Sequence, residues 1–188
     1  MPSICKSLGY SSLQSQYLTI PVYLVAAVAF LALAFFSDRT LMRSPFLLFA
    51  NMFGIVGYVL LLCNVSNAVK FFGCFMCAIA VYTGPGLNLA WLNVNMQPHY
   101  RRATAIGIQQ SLANTAGIVA GQIYRTAPYK LGNAFSLGAL CLSQVFIIVK
   151  YFYIKRCNEE KRMIAEGEKQ DTRRIKSGDQ AVDFVYHL

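Results

Sequence analysis

Apolar and polar positions in this chain separate into long blocks and do not alternate. Five apolar runs dominate it, at about Leu18–Phe36, Pro45–Cys63, Phe71–Trp91, Ala103–Tyr124 and Leu131–Ile154. Each is close to the roughly 20 residues that a helix needs to cross a hydrocarbon core of about 30 Å. Helix is expected over strand because backbone groups in lipid must be satisfied within the segment. The runs are also too long and unbroken for the alternating strands of a barrel. Short connections make neighbouring helices antiparallel, and five crossings set the two ends on opposite sides. The pattern predicts an all-α, polytopic membrane protein in three parts: an N-terminal segment 1–17, a five-helix transmembrane region 18–154 and a charged tail 155–188.

Composition sharpens this picture. Hydrophobic residues make up 56% of the 188-residue chain and charged residues 13%, about half the charge of a typical soluble domain. Of the eight acidic residues only Asp38 precedes Glu159. The formal charge of +9 does not make a nucleic-acid binder, which needs a basic face with interleaved aromatics. Here the basic residues sit in short loops and in the acid-containing tail, where Lys155, Arg156, Lys161 and Arg162 can face anionic headgroups. The tail reads as a surface helix followed by a flexible end.

Lysine and arginine placement orients the chain. Arg39 and Arg43, Arg101 and Arg102, and the tail from Lys155 to Lys176 fall on one side; Lys6, Lys70, Arg125 and Lys130 fall on the other. The richer set puts the C-terminus in the cytoplasm and the N-terminus outside, with the plasma membrane as the expected location. No cleavable signal peptide is expected, because residues 1–17 lack a basic start and the first apolar run is too long. The sequon Asn64-Val65-Ser66 lies in a loop too close to the bilayer for modification to be expected.

Little of this sequence is enzyme chemistry. It has no phosphate-cradling glycine loop, no nucleophile elbow and no H-E-x-x-H. Two histidines, His99 and His187, cannot assemble a triad or a metal cluster. Among six cysteines, Cys74 and Cys77 form a C-x-x-C pair inside an apolar run, without the polar setting or second pair of a zinc or redox site. They read as small helix-packing residues. No enzyme activity, metal or cofactor is expected.

Three polar features remain. Asp38, Arg39 and Arg43 occupy the tight turn between the first two helices. They can hydrogen-bond helix ends and break and reform as helices rock, or they can simply mark a cytoplasmic loop. Tyr82-Thr83-Gly84-Pro85-Gly86 lies near the middle of the third segment. Proline and glycine there loosen a helix and free carbonyls, as at a midplane substrate site, or make a packing kink. The fourth segment is the most polar, with Gln109, Gln110, Ser111, Asn114, Thr115 and Gln122. Gln110 and Asn114 are one turn apart on one face, and such amides either line a cavity or bond between helices. Ala113, Gly117 and Gly121 form a small-residue ridge suited to close packing. No ionisable residue sits at mid-depth, so any proton coupling is centred elsewhere.

Together these residues resemble a known family. The order of D-R-x-x-x-R between two helices, a G-P-G helix and a W-x-x-x-N-x-x-x-H-x-x-R-A passage (Trp91, Asn95, His99, Arg102, Ala103) is similar to the fungal anion:cation symporters of the major facilitator superfamily. That group includes allantoate, nicotinate and pantothenate permeases. The likeness continues through Asn114, Gly117, Gly121, Gln122, Pro128-Tyr129 and Gly132; Lys6-Ser7-Leu8-Gly9-Tyr10 with Pro21 and Tyr23 resembles the stretch after the seventh helix, and Asp183-Phe184-Val185-Tyr186 resembles the group's aromatic terminus. Departures are a cytoplasmic loop lacking the glycine and one basic residue of the fullest motif, and Ala113 and Pro98 where glycine is common.

The resemblance implies helices eight to twelve of a twelve-helix carrier, with helices one to seven missing. It implies symport of a small organic anion with a proton. Gln110 and Asn114, with Tyr82, would line the C-terminal side of the cavity, and Asp38, Arg39, Arg43 and Arg102 would form the cytoplasmic gating network. Gly84, Pro85, Gly86, Gly117 and Gly121 would serve helix packing. The lipid bilayer, the anion and the missing N-terminal helices are the expected partners. Alternating access needs two halves rocking about a midplane site, so transport by this chain alone is not expected. The alternatives are a transport-inactive truncated product, or a small membrane adaptor acting through its charged tail.

Overall fold

The computed structural model describes residues 12–63, 65–124, 130–167, 171 and 177–188. The Lys6–Tyr10 stretch, Asn64 of the sequon, Arg125, Pro128-Tyr129 and tail residues 168–170 and 172–176 lie outside the described residues. The five apolar runs become five helices: α1 (Ser12–Thr40), α2 (Ser44–Leu62), α3 (Asn67–Asn95), α4 (His99–Ile123) and α5 (Lys130–Ala165). Pro45 starts α2, where a missing N–H costs nothing. Pro85 lies inside α3, yet the helix continues through Gly84-Pro85-Gly86 to Asn95. α5 runs about three turns beyond its apolar run, so the surface helix expected in the tail is an extension of the last span. Of the end expected to be flexible, Gly178–Gln180 form a short 3₁₀ turn and residues 181–188 return to the helix ends.

α1, α2, α3 and α5 are each long and apolar enough to cross a membrane. α4 has the length, at 25 residues, or about 37 Å, but its amides leave it short of the same apolarity. It nevertheless runs the height of the bundle. Arg101 near its start meets Asp179 of the returning tail, which also binds Lys161 late in α5, while Tyr124 at its other end meets Ser136 early in α5.

The tightest packing is between α2 and α3. A Cβ on Gly57 would lie 2.7 Å from Cys77 Sγ and 2.8 Å from both Cys77 N and Gly73 O; one on Gly54 would lie 2.7 Å from Ala80 Cβ. Backbone therefore meets backbone, the small-residue approach by which helices associate where lipid offers no hydrophobic drive. Cys74 and Cys77 are buried at this crossing. α1 covers the other side of α3, with Val22 and Ala26 packed on Ala78 and with Phe30 filling the space that a side chain on Gly86 would take. α5 lies against α2, joined by Asn51 Nδ2 to Ser143 Oγ (3.4 Å) and Gln144 Nε2 to Leu48 O (3.3 Å). The outward faces of α1 and α5 expose Leu24, Val28, Leu31, Val145, Val149 and Phe152, as a lipid-facing surface requires.

α4 is different. None of its residues is buried, and a Cβ on Gly107, Gly117 or Gly121 would meet nothing within 4 Å. Within this chain the Gly117–Gly121 ridge has no neighbour among the described residues. The closely packed glycines of the described helices are Gly54, Gly57, Gly73, Gly86 and Gly132, the last against the Tyr124 ring.

This contrast sets a test. Gly57→Ala forces a methyl group against fixed backbone and is expected to cost about 1–3 kcal/mol. Gly117→Ala meets open space and is expected to be neutral or to stabilise by up to about 1 kcal/mol through helix propensity. Thermal unfolding of the two variants in detergent micelles measures the difference; equal melting temperatures would contradict the close α2–α3 crossing.

Candidate functional site

Helices α2, α3, α4 and α5 enclose a cavity of about 750 Å³ that is open on one side. Its walls follow from helical spacing. α3 contributes Gly84, Asn88 and Trp91, one stripe at intervals of four and three. α5 contributes Ser136, Ser143 and Lys150 at intervals of seven, and α2 contributes Asn51 and Tyr58. The α4 wall is Gln109, Gln110, Ala113, Ala116 and Ala120. Most of the lining is apolar, with a few polar groups converging on the space, the usual composition of a small-molecule site.

Lys150 is the one charged side chain among the described lining residues. Its Nζ stands 3.7 Å from the centroid of the Trp91 ring, a cation–π contact. Trp91 is fully buried and donates from Nε1 to the carbonyl of His187 at 2.9 Å. The ammonium therefore sits at the tail-side end of the cavity, on an aromatic floor.

The three residues expected to bind substrate do not come together. Gln110 lines the cavity. Asn114 is exposed and outside the lining, because Ala113 takes the inward position and the next residue is rotated by about 100°. Tyr82 lies on the far face of α3, edge-on to Tyr23 of α1 with centroids 5.9 Å apart. It is therefore no part of this cavity.

The four expected gating residues sit near the tail-side helix ends in separate small contacts. Arg43 pairs with Asp38 at 2.6 Å, and its backbone N–H donates to the carbonyl of Leu188. Arg39 turns back over the Phe35 ring at 4.7 Å. Arg102 donates from Nε to the carbonyl of Met96 at 3.2 Å, satisfying a free acceptor just past the end of α3. Its neighbour Arg101, not Arg102, reaches the tail, with Nη1 3.2 Å from Asp179 Oδ1.

Residues 1–163 match the family of sugar (and other) transporters. The chain belongs to that family, within the major facilitator superfamily. It is 48% identical over 192 residues, all of this chain, to an uncharacterized transporter of Schizosaccharomyces pombe, of which it covers 38%. A second uncharacterized transporter of that yeast is 41% identical over 189 residues, again all of this chain, with 39% of the relative covered. The high-affinity nicotinic acid transporter of Saccharomyces cerevisiae is 32% identical over 169 residues, 88% of this chain and 32% of that protein. The chain thus spans about two fifths of the length of the first relatives it matches. No solved structure matches it.

For this major facilitator chain the integral membrane assignment and the helical architecture agree with expectation. Residues that sequence reasoning did not select are Lys150, Trp91 and Asn51. Lys150 carried a usable signal, since an ionisable residue within an apolar run is a functional candidate by default. It stands only four residues from the end of its run, away from mid-depth. Trp91 appeared in the motif passage without a role, and Asn51 stood alone in an apolar helix with nothing to say which way it faced.

The geometry separates two neighbouring amides. In a bilayer, Gln110→Cys is expected to react with a charged, water-soluble thiosulfonate at least tenfold faster than Asn114→Cys. Site-resolved mass spectrometry of the labelled protein measures both; equal rates would place the two positions in the same environment and remove α4 as the cavity wall described above.

Proposed function

We propose that this chain is the C-terminal portion of a carrier that moves a small organic anion across a membrane, with the cavity as its half of the solute path and Lys150 as the group that holds the solute's carboxylate. The observation behind the reading is one cation among amides and aromatic rings in a cavity open on one side. A lysine offers a compact positive charge with three donors, and Trp91 supplies an apolar surface for an organic body. The relative named a nicotinic acid transporter, whose named solute is an aromatic carboxylic acid, is compatible with it.

In this reading the open side of the cavity and the bare Gly117–Gly121 ridge face helices of the other half, and rocking of the two halves gives alternating access. Solute movement is coupled to a proton, carried by groups outside this chain. Residues 18–154 form the membrane region and 1–17 lie outside. The tail from 155, and with it the Asp38–Arg43 and Arg102 contacts, is cytoplasmic, which fits the arginine-rich helix ends on that side. The plasma membrane is the proposed location.

The test is uptake. This chain joined to the N-terminal helices of the nicotinic acid relative, in yeast cells lacking nicotinate uptake, is expected to accumulate radiolabelled nicotinate at least tenfold over the chain alone. Lys150→Gln should lower that uptake at least tenfold, and neutral nicotinamide should not be carried. Equal uptake of the acid and the amide, with no effect of Lys150→Gln, would sink the anion reading. Absence of uptake by a correctly inserted chimera would sink the transport reading.

The alternative to a carrier portion is a transport-inactive truncated product. Immunoblotting of membranes with an antibody to the tail separates the two. A band about two and a half times the 20.9 kDa of this chain is expected for the carrier, and a band near 21 kDa for the truncated product.

A further inference from the structure

The tail-side ends of four helices form a built site for an extended peptide, and residues 177–188 of the chain occupy it. Asn95 of α3 donates from Nδ2 to the His187 carbonyl at 2.9 Å and accepts the His187 N–H at 2.8 Å. Asn158 of α5 does the same to the preceding residue, donating to the Tyr186 carbonyl at 2.8 Å and accepting the Tyr186 N–H at 2.9 Å. Successive residues of an extended chain direct their backbone groups to opposite edges. Two asparagines from two helices therefore grip the backbone of two successive residues, each in the role of a neighbouring strand.

Further contacts fix the rest of the segment. Lys161 is buried and donates from Nζ to the carbonyls of Asp179 and Phe184, both at 2.7 Å, with the Tyr186 ring centroid 4.0 Å away. Asp179 pairs with Arg101 of α4. Gly178 has a φ of +68°, and a Cβ there would come within 3.0 Å of the Gln97 carbonyl, so the entry to the segment requires glycine. Tyr186 and Leu188 pack on the cluster of Leu47, Leu87, Trp91, Ile147 and Ile154, three of whose members also line the cavity.

We propose that residues 177–188 are a detachable latch that closes the tail-side end of the cavity and fastens α4 to the other helices. α4 has no buried residue of its own, and the Arg101–Asp179–Lys161 chain is its bond to α5 at that end. The latch also covers Trp91, the cavity floor. Its hold is a set of directed hydrogen bonds and an ion pair, with only Tyr186 and Leu188 packed on the apolar cluster, a small attachment that suits a segment that opens locally while the helices stay folded. Release uncovers the floor and frees the amide-bearing wall in one step. The inference rests on the cavity being the solute path, but its test reads the protein and not transport.

Trp91 is the only tryptophan of the chain and a built-in reporter. In nanodiscs, the intact chain is expected to show iodide-protected Trp91 fluorescence. Deleting residues 178–188, or the pair Asn158→Ala and Lys161→Met, should raise the quenching constant at least fivefold. A synthetic peptide of residues 177–188 added to the deletion variant should restore protection, and a peptide of reversed sequence should not. Unchanged quenching in a deletion variant of normal helix content would overturn the latch. So would amide protons of Tyr186 and His187 that exchange, in the intact chain, as slowly as those of the α2–α3 crossing, since the segment would then be a fixed cap.

Discussion

The rest of the structure depends on the contact of two helix backbones at Gly57, Gly73 and Cys77. In lipid, apolar side chains gain nothing by leaving one hydrocarbon surface for another, so helices hold together through close van der Waals contact and a few polar bonds. The glycines of α2 and the glycine, cysteines and alanine of α3 permit that contact. α1 then adds to the opposite side of α3 through Val22, Ala26 and Ala78, and α5 adds to α2 through the Asn51–Ser143 bond. Four helices form a body from one crossing outward.

α4 stands apart from that body, and the cavity exists because it does. A helix carrying Gln109, Gln110, Asn114 and Gln122 with no buried residue is poorly matched to hydrocarbon and leaves a gap lined by amides on one side and by Asn88, Trp91 and Lys150 on the other. The chain supplies two fifths of its relatives' length, and within it the Gly117–Gly121 face of α4 meets nothing among the described residues. The polar groups that make α4 a weak span by composition are the same groups that make it a cavity wall.

At the other extreme of polarity, the helix ends on the tail side are bound together by directed hydrogen bonds. Asn95, Asn158, Lys161 and Arg101 come from three different helices and converge on one short segment. That rim is held by directed hydrogen bonds together with the packing of Tyr186 and Leu188 on the cluster around Trp91, and it shares no residue with the Gly57–Gly73 crossing.

Block patterning alone determined the helical membrane architecture, the number of helices and their approximate limits, because the length of an apolar run and the need to satisfy backbone groups in lipid are properties of local sequence. It also determined the family likeness, carried by Asp38, Arg39, Arg43, Trp91, Asn95 and Arg102 in their order. Facing was decided only by the tertiary structure. Gln110 and Asn114 share a helix stripe, yet the cavity lies to the Gln110 side, and Tyr82 turns away to Tyr23. Lys150 lies near the end of its apolar run, and only the fold brings Trp91 of α3 beneath it. The tail looked solvated by its mixed charge, but Asn95 and Asn158, some sixty residues apart, together fit the backbone of Tyr186 and His187. Local sequence fixes the period of a helix and not its rotation about its axis; that rotation is set by which neighbours approach closely enough to exclude lipid and water.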